Sequence, residues 1–589
     1  MTNTMERGSA QPPTEDVATA RDNPVSIRTR FQSNLDRLLP LPLYLVLTVI
    51  VLVPLGYLLF ASVRTGSPMQ PGATFTLDNL ASIWIDPTYF RVLGNTLWMA
   101  LLVTIFSIVI GVALAWLIAR TNIPGKRLWE VIVPLPLFLS PFASAVAWMI
   151  LGSERAGFLN VLFKNIFGTE HGFMNILSFP GLVFAMVLFH ISYAYLYTIA
   201  PLKNMDGALE EAARVGGSSV ARTMLRITFP VVLPGILSAS LMVFVLSAEM
   251  FTVPALLGTP AGFSTLAPFI YEQTKFSPPN WGAATAAALL LLAVMAVGVV
   301  LQNRATRMSG RFVTVTGKGV RPATLDLGRW KWLATLLPGG FILLAVVLPI
   351  GTLLLVTFMK YVTANITPEI FTLSNWALLG SNPVFLKGLQ NTLQITLIGS
   401  VFATLLAFML VYSWKRLNSP FKRTTETIAM LPVAVPGIVL GVGVLWAAVS
   451  TPLYGTIWLL IFAFTARYLA NPVRIFSSTM VQIDKGLEEA SRVGGAGMFR
   501  TMGRISAPLL TPAALSGWLL MVILFTRELN VAIMVYSGNS ITLPVIMWGA
   551  IDGGSFAFAA VIALVETALI LGVFVIARVL FKVDLSSRG

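Results

Sequence analysis

EEAARVGGSSVARTMLRITFP, from Glu210 to Pro230, returns as EEASRVGGAGMFRTMGRISAP, from Glu488 to Pro508. The copies lie 278 residues apart in a chain of 589. Each opens with an acid and an arginine at i and i+4, Glu210 with Arg214 and Glu488 with Arg492, the favourable order for pairing on a helix. Gly216-Gly217 and Gly494-Gly495 interrupt that helix, and a second short helical stretch is predicted beyond them. Pro230 and Pro508 disfavour helical geometry in the residue before them and predict a bend into the next segment. Arg214, Arg222 and Arg226 recur at the spacing of Arg492, Arg500 and Arg504. The pattern predicts an exposed helix–turn–helix surface, present twice.

Around these loops the chain is apolar, 56% hydrophobic and only 11% charged. A helix needs about 20 apolar residues to cross a bilayer, and backbone polar groups in lipid must be paired within the segment. Apolar runs that meet this requirement fall at about 40–62, 94–119, 129–152, 177–200, 231–257 and 281–303, then at 333–359, 391–413, 425–450, 454–476, 510–537 and 555–581. The expected fold is therefore an all-α membrane protein with twelve crossings. The domain reading is a disordered cytosolic tail at 1–37, a first bundle at 38–303, a basic linker at 304–332, a second bundle at 333–582 and a tail at 583–589.

Cations set the orientation. Arg120, Lys126 and Arg127 match Lys415, Arg416, Lys422 and Arg423, while the linker carries Arg304, Arg307, Arg311, Lys318, Arg321, Arg329 and Lys331 against Asp326 alone. A positive-inside bias puts all of these, and both termini, in the cytosol. The same bias accounts for the net charge of +15 without nucleic acid. Cysteine is absent, which excludes disulfides and thiol chemistry, and His171 and His190 are too few for a histidine metal site.

The repeat extends beyond the loops. FTLDNL at 75–80 returns as FTLSNW at 371–376, and Asn95-Thr96-Leu97 as Asn391-Thr392-Leu393, both offset by 296. The loop offset of 278 leaves 18 extra residues in the first half, assigned to 153–176. Six crossings per copy make the repeats parallel.

The loops resemble the EAA loop of binding-protein-dependent ABC importer permeases: Glu-Ala-Ala, three residues, Gly, nine residues, then Ile-x-x-Pro. Glu211-Ala212-Ala213, Gly217, Ile227 and Pro230 match, as do Glu489-Ala490-Ser491, Gly495, Ile505 and Pro508, with Ser491 the one departure. The resemblance covers about 40–582 and implies two tandem parallel six-helix type I ABC importer permease bundles. It also implies that Glu210, Glu211, Ala212, Ala213 and Gly217, with Glu488, Glu489, Ala490 and Gly495, couple the chain to two ATPase subunits. The chain has no Gly-x-x-x-x-Gly-Lys-Ser/Thr phosphate loop, so it is expected to bind no cofactor, with ATP-Mg on the partner ATPase subunits. An external substrate-binding protein and the lipid bilayer of a bacterial inner membrane complete the expected partners.

Carboxylates inside apolar segments are functional candidates. Glu249 and Glu528, which align at an offset of 279, are the candidates for the substrate path. About 19 residues of helix from Pro230 at 1.5 Å each place Glu249 roughly 28 Å along the segment. His190, Arg467 and Glu566 are read as satisfied interhelical contacts, and Trp98, Trp330 and Trp332 as interfacial anchors. The fused form and the Arg527-Glu528-Leu529 segment are most similar to ferric-iron permeases, with polyamine, thiamine and phosphonate permeases as alternatives. An ion-coupled secondary transporter is the reading from another class; the repeated loop argues against it.

Overall fold

The computed structural model describes residues 40–309, 324–417, 419 and 421–581. The tails expected at 1–37 and 583–589, and the linker residues Arg311, Lys318 and Arg321, lie outside the described residues. Among the described residues nine helices are long and apolar enough to cross a membrane, or twelve if three bent pairs each count once. The chain is an all-α membrane protein.

In chain order these elements are α1 (Leu41–Ser62), α2 (Pro87–Arg120), α3 (Pro141–Gly152, preceded by Lys126–Phe138), α4 (Phe179–Asn204), α5 (Phe229–Ala248) and α6 (Trp281–Ser309). They continue as α7 (Trp330–Thr357), α8 (Pro383–Arg416), α9 (Gly437–Ala448, preceded by Lys422–Ala434), α10 (Ile457–Tyr468, continued by Ala470–Gln482), α11 (Ala507–Thr526) and α12 (Phe556–Phe581). The helices α2 and α8 are both 34 residues long, and α5 and α11 both 20.

Local chemistry explains the repeated motifs. Asn79 Nδ2 donates to the carbonyls of Ser62 and Arg64 at the end of α1, and Asn375 Nδ2 to those of Thr357 and Met359 at the end of α7. Thr96 and Thr392 accept the N–H groups of Leu266 and Leu543, each at 2.9 Å. Asn95 and Asn391 donate to carbonyls just before those residues. The recurring polar residues thus satisfy backbone groups that lipid would leave unpaired.

Several expected crossings are not straight. The segments at 129–152 and 425–450 bend by 92° and 115°. Ser140 and Val435 each precede a proline and are extended, the conformation that the proline ring favours there. The segment around 454–476 bends by 51° after Tyr468. Pro472 cannot donate to the Tyr468 carbonyl four residues back, and the Asn471 side chain takes that carbonyl instead at 3.1 Å. The expected segments 231–257 and 510–537 are too long, since α5 stops at Ala248 and α11 at Thr526. The apolar residues beyond Glu249 fold back as turns, including a π-helical turn at Pro254–Gly258.

The N-terminal and C-terminal halves interlock. The helix α1 packs on α9, and the later part of α7, Leu348–Thr357, packs on α3. Gly443 of α9 lies so close to α1 that a Cβ there would sit 2.3 Å from the Pro54 carbonyl oxygen. Tyr44 of α1 also hydrogen-bonds Ser413 of α8 at 3.1 Å. Trp281 and Trp446 meet edge to face across the same boundary.

Candidate functional site

Two regions hold the residues that the sequence singles out. The first is the repeated loop. Its opening helices are Ala208–Val215 and Lys485–Val493, and both end at a glycine pair. Gly217 and Gly495 have φ of +81° and +84°, in the left-handed region that favours glycine. Around Gly217 the N–H of Ser218 reaches the Ala213 carbonyl and that of Gly217 the Arg214 carbonyl, a Schellman closure. The chain then re-enters a helix and runs through a π-helical turn, Met224–Thr228 or Met502–Ser506, directly into α5 or α11. The bend expected at Pro230 and Pro508 is absent. Phe229 N–H bonds the Met224 carbonyl, and Ala507 N–H that of Met502, so the wider turn absorbs the donor that proline lacks.

The first acid of each loop is anchored by residues far from it in sequence. Glu210 faces Arg120 at 3.8 Å and accepts a 2.6 Å bond from Thr228. Glu488 faces Arg416 at 3.1 Å and accepts a 2.7 Å bond from Ser506. Arg120 donates to the Met205 carbonyl and Arg416 to that of Ile483, both at 2.8 Å. The last residues of α2 and α8 therefore clamp each loop at its first acid. Glu211, Glu489, Ala212 and Ala490 face outward, Ala213 is half-buried, and both left-handed glycines are exposed. Ser491, where the pattern has alanine, bonds Thr501 at 3.0 Å, a partner that the buried hydroxyl of Thr223 lacks. Val215 and Val493, next to the glycine pairs, are 91% and 89% exposed.

The second region is the seam between the halves. Glu249 and Arg467 form a half-buried ion pair, with Arg467 Nη2 at 2.8 and 2.7 Å from the two carboxylate oxygens. Arg467 Nη1 donates at 2.6 Å to the Val435 carbonyl, which the bend before α9 leaves open. Arg527 Nη1 donates at 2.6 Å to the Leu137 carbonyl, at the corresponding bend before α3. Glu528 is only 3% exposed; it accepts from the Tyr468 hydroxyl and from Val531 N–H. These side chains line a cavity of about 140 Å³ together with Phe189 and Tyr193.

A family model described as "Binding-protein-dependent transport system inner membrane component" matches residues 107–308. The spermidine/putrescine transport system permease protein PotB of Salmonella typhimurium is 31% identical, over 41% of this chain and 82% of that protein. The chain belongs to the binding-protein-dependent permease family. The ferric transport system permease protein FbpB of Actinobacillus pleuropneumoniae is 25% identical, over 86% of this chain and 74% of that protein. The putative ferric transport system permease protein FbpB 1 of Haemophilus influenzae is 27% identical, over 76% and 71%.

The permease is thus a multi-pass inner-membrane subunit without an ATPase activity of its own. Sequence reasoning missed parts of its two sites. Charge patterning marks Arg120 and Arg416 only as orientation signals, yet both hold the first acid of a loop. Their shared offset of 296 at the ends of two long apolar runs is the signal that identifies them. Arg467 is indeed an interhelical contact, but one that joins the halves at the cavity. Glu566 is not satisfied: among the described residues its two buried carboxylate oxygens have no hydrogen-bond partner. His190 bonds Met186 of its own helix through Nδ1, leaving Nε2 without a partner. The extra segment at 153–176 folds around buried Asn160, whose amide donates to the Ser153 and Met174 carbonyls. Among the described residues no three His, Cys, Asp or Glu side chains form a metal-binding group.

Proposed function

We propose that this chain is a membrane-spanning subunit of an ATP-driven importer, two parallel six-helix bundles at 38–303 and 333–582, and that its cargo is ferric iron. The observation that carries the reading is the duplicated loop. Two matching knobs, each clamped to a long helix by one arginine and each showing an exposed valine, suit docking into two ATPase subunits. With both termini and both loops cytosolic, Glu211, Ala212, Gly217, Glu489, Ala490 and Gly495 face those subunits, while Glu210 and Glu488 hold the knobs in place. A loaded binding protein docks outside. ATP closes the ATPase dimer inside, the knobs move with it, and the bundles rock to open the path at Glu249 and Glu528. Hydrolysis resets the inward-facing state.

Iron is supported by relatives named as ferric transport permeases that align over most of the chain. A polyamine is the second reading, favoured by the higher identity of PotB over 41% of the chain. Reconstitution with the ATPase subunits and the binding protein tests both. Radiolabelled ferric iron is expected to accumulate only with ATP and all partners. Accumulation of spermidine instead would transfer the assignment to polyamines, and uptake by the isolated chain without nucleotide would end the importer reading.

A further inference from the structure

We propose that Arg467 is a tethered cation that seals the path by occupying Glu249, and that a small cation passes only by taking its place. The inference rests on the seam being the path, and adds to that reading a gate and a charge class.

The guanidinium already sits where a cation would. One nitrogen is 2.7 and 2.8 Å from both oxygens of Glu249, so that carboxylate is occupied in the described state. The partners come from opposite halves, and the contact must break if the halves separate. The geometry is specific to one half. At the offset of 278 that relates α4 to the α10 pair, Arg467 corresponds to Phe189 and Tyr468 to His190. Nothing in the helix repeat itself requires an arginine. Only the second copy has a proline at this place, Pro472, and among the described residues only the second copy bends there, just after Arg467 and Tyr468.

The surroundings favour release of this arginine. The carbonyls of Val435 and Pro432, at 2.6 and 3.4 Å, belong to its own half and offer it a resting place when Glu249 departs. The other cavity arginine, Arg527, is held by the Leu137 carbonyl instead. The charged residues lining the cavity, Glu249, Glu528, Arg467 and Arg527, balance while the seam is closed. When the halves part, Glu249 becomes a free oxygen ligand on one wall of the cavity, with Glu528 and the Tyr468 phenol on the other. Carboxylate, phenol and carbonyl oxygens suit hard cations. The volume of about 140 Å³ admits one such ion with a few waters, at about 30 Å³ of liquid volume each.

The test uses the full complex with its ATPase subunits in vesicles, without ATP or binding protein, with radiolabelled iron and radiolabelled chloride as probes. R467Q is expected to raise passive iron entry at least tenfold, with chloride entry unchanged. R467K, which keeps the charge but not the two-point hold, is expected to leak severalfold. The exchange E249R/R467E is expected to restore the seal. A tight R467Q complex overturns the proposal, as does a leak that passes chloride as readily as iron. If R467Q does not assemble, the exchange variant decides: sealed supports the gate, leaking overturns it. The outcome is separable from the importer reading. ATP-driven uptake by the unmodified complex together with a tight R467Q removes the gate alone, whereas absence of that uptake removes the importer reading.

Discussion

Glu249 and Arg527 occupy the same place in two recurring helices: each is the residue at which a twenty-residue helix ends, 278 positions apart, and they carry opposite charges. The acid expected to match Glu249 was Glu528, one position later. That residue instead turns into its own half, to Tyr468 and Val531. Recurrence of the backbone thus carries no recurrence of charge at the seam. Glu249 reaches across to Arg467, while Arg527 reaches across to the Leu137 carbonyl.

Unequal roles for the two carboxylates follow. Glutamine can still accept from the Tyr468 hydroxyl and Val531 N–H, so Glu528→Gln should lower ATP-driven uptake no more than about threefold. Glu249→Gln loses the charge that Arg467 faces and leaves a half-buried guanidinium without its counter-ion at the seam. Uptake should fall at least tenfold. Initial rates in vesicles measure both, and equal losses would contradict the asymmetry.

The glycine at each loop corner has open space around it and a constrained backbone. No heavy atom lies within 4 Å of a Cβ built on Gly217 or Gly495, so any substitution acts through φ and through the docking surface. A side chain in the left-handed region costs about 1–2 kcal/mol, and asparagine tolerates it best. Gly217→Asp and Gly495→Asp should abolish transport without reducing membrane insertion, while the Asn variants should retain part of it. Stimulation of the ATPase subunits by each reconstituted variant checks the point; full stimulation by the Asp variants would remove these glycines from coupling.

Arg416 and Glu489 separate clamping from docking. The guanidinium of Arg416 is 4% exposed and its partner Glu488 5%, whereas Glu489 faces outward. Arg416→Ala strands a buried carboxylate and should cost about 3–5 kcal/mol in loop stability. Glu489→Ala should leave the loop folded and change only affinity for the ATPase subunit. Proteolysis of the loop and co-purification with the subunit distinguish them: Arg416→Ala should be cut faster, Glu489→Ala should not.

Much of this architecture was legible because lipid imposes long apolar runs and paired backbone groups. All twelve segments have counterparts among the described residues, and the polar residues repeated at 296 reappear as caps on helix ends. The breaks were less legible. Leu139, Val435 and the residues after Glu249 are as apolar as the helices beside them, since a turn packed inside the bundle needs the same side chains as a helix there. Hydropathy alone therefore ran the segments to 257 and 537. The bend at Tyr468 was written in Pro472, but proline within a membrane helix permits a bend without fixing which side chain it will aim. Arg467 acquired its partner only when the other half was in place. The clamps of Glu210 and Glu488 were hidden for a similar reason: their arginines lie 90 and 72 residues away in sequence, where local i, i+4 spacing cannot point.

The interlock of the halves offers a test of stability that leaves both sites untouched. Gly443 of α9 and Gly56 of α1 lie near the same boundary but differ in what a methyl group would meet. At Gly56 there is nothing within 4 Å; at Gly443 the Pro54 carbonyl oxygen and carbon are 2.3 and 2.9 Å from the built Cβ. Backbone cannot swing aside as a side chain can, so Gly443→Ala must push α1 away from α9. Overpacking of this kind costs about 1–3 kcal/mol. Replacing glycine by alanine within a helix otherwise favours the helix by about 1 kcal/mol, so Gly56→Ala should be neutral or slightly stabilising. Thermal unfolding of the detergent-solubilised chain should show a lower midpoint for Gly443→Ala and none for Gly56→Ala. The loss should also loosen the Tyr44–Ser413 contact on the same helix, so cross-linking of cysteines at 44 and 413, readily read in a chain without native cysteine, should fall in the Gly443→Ala background. Unchanged cross-linking together with a lowered midpoint would place the strain within α9 itself and not between the halves.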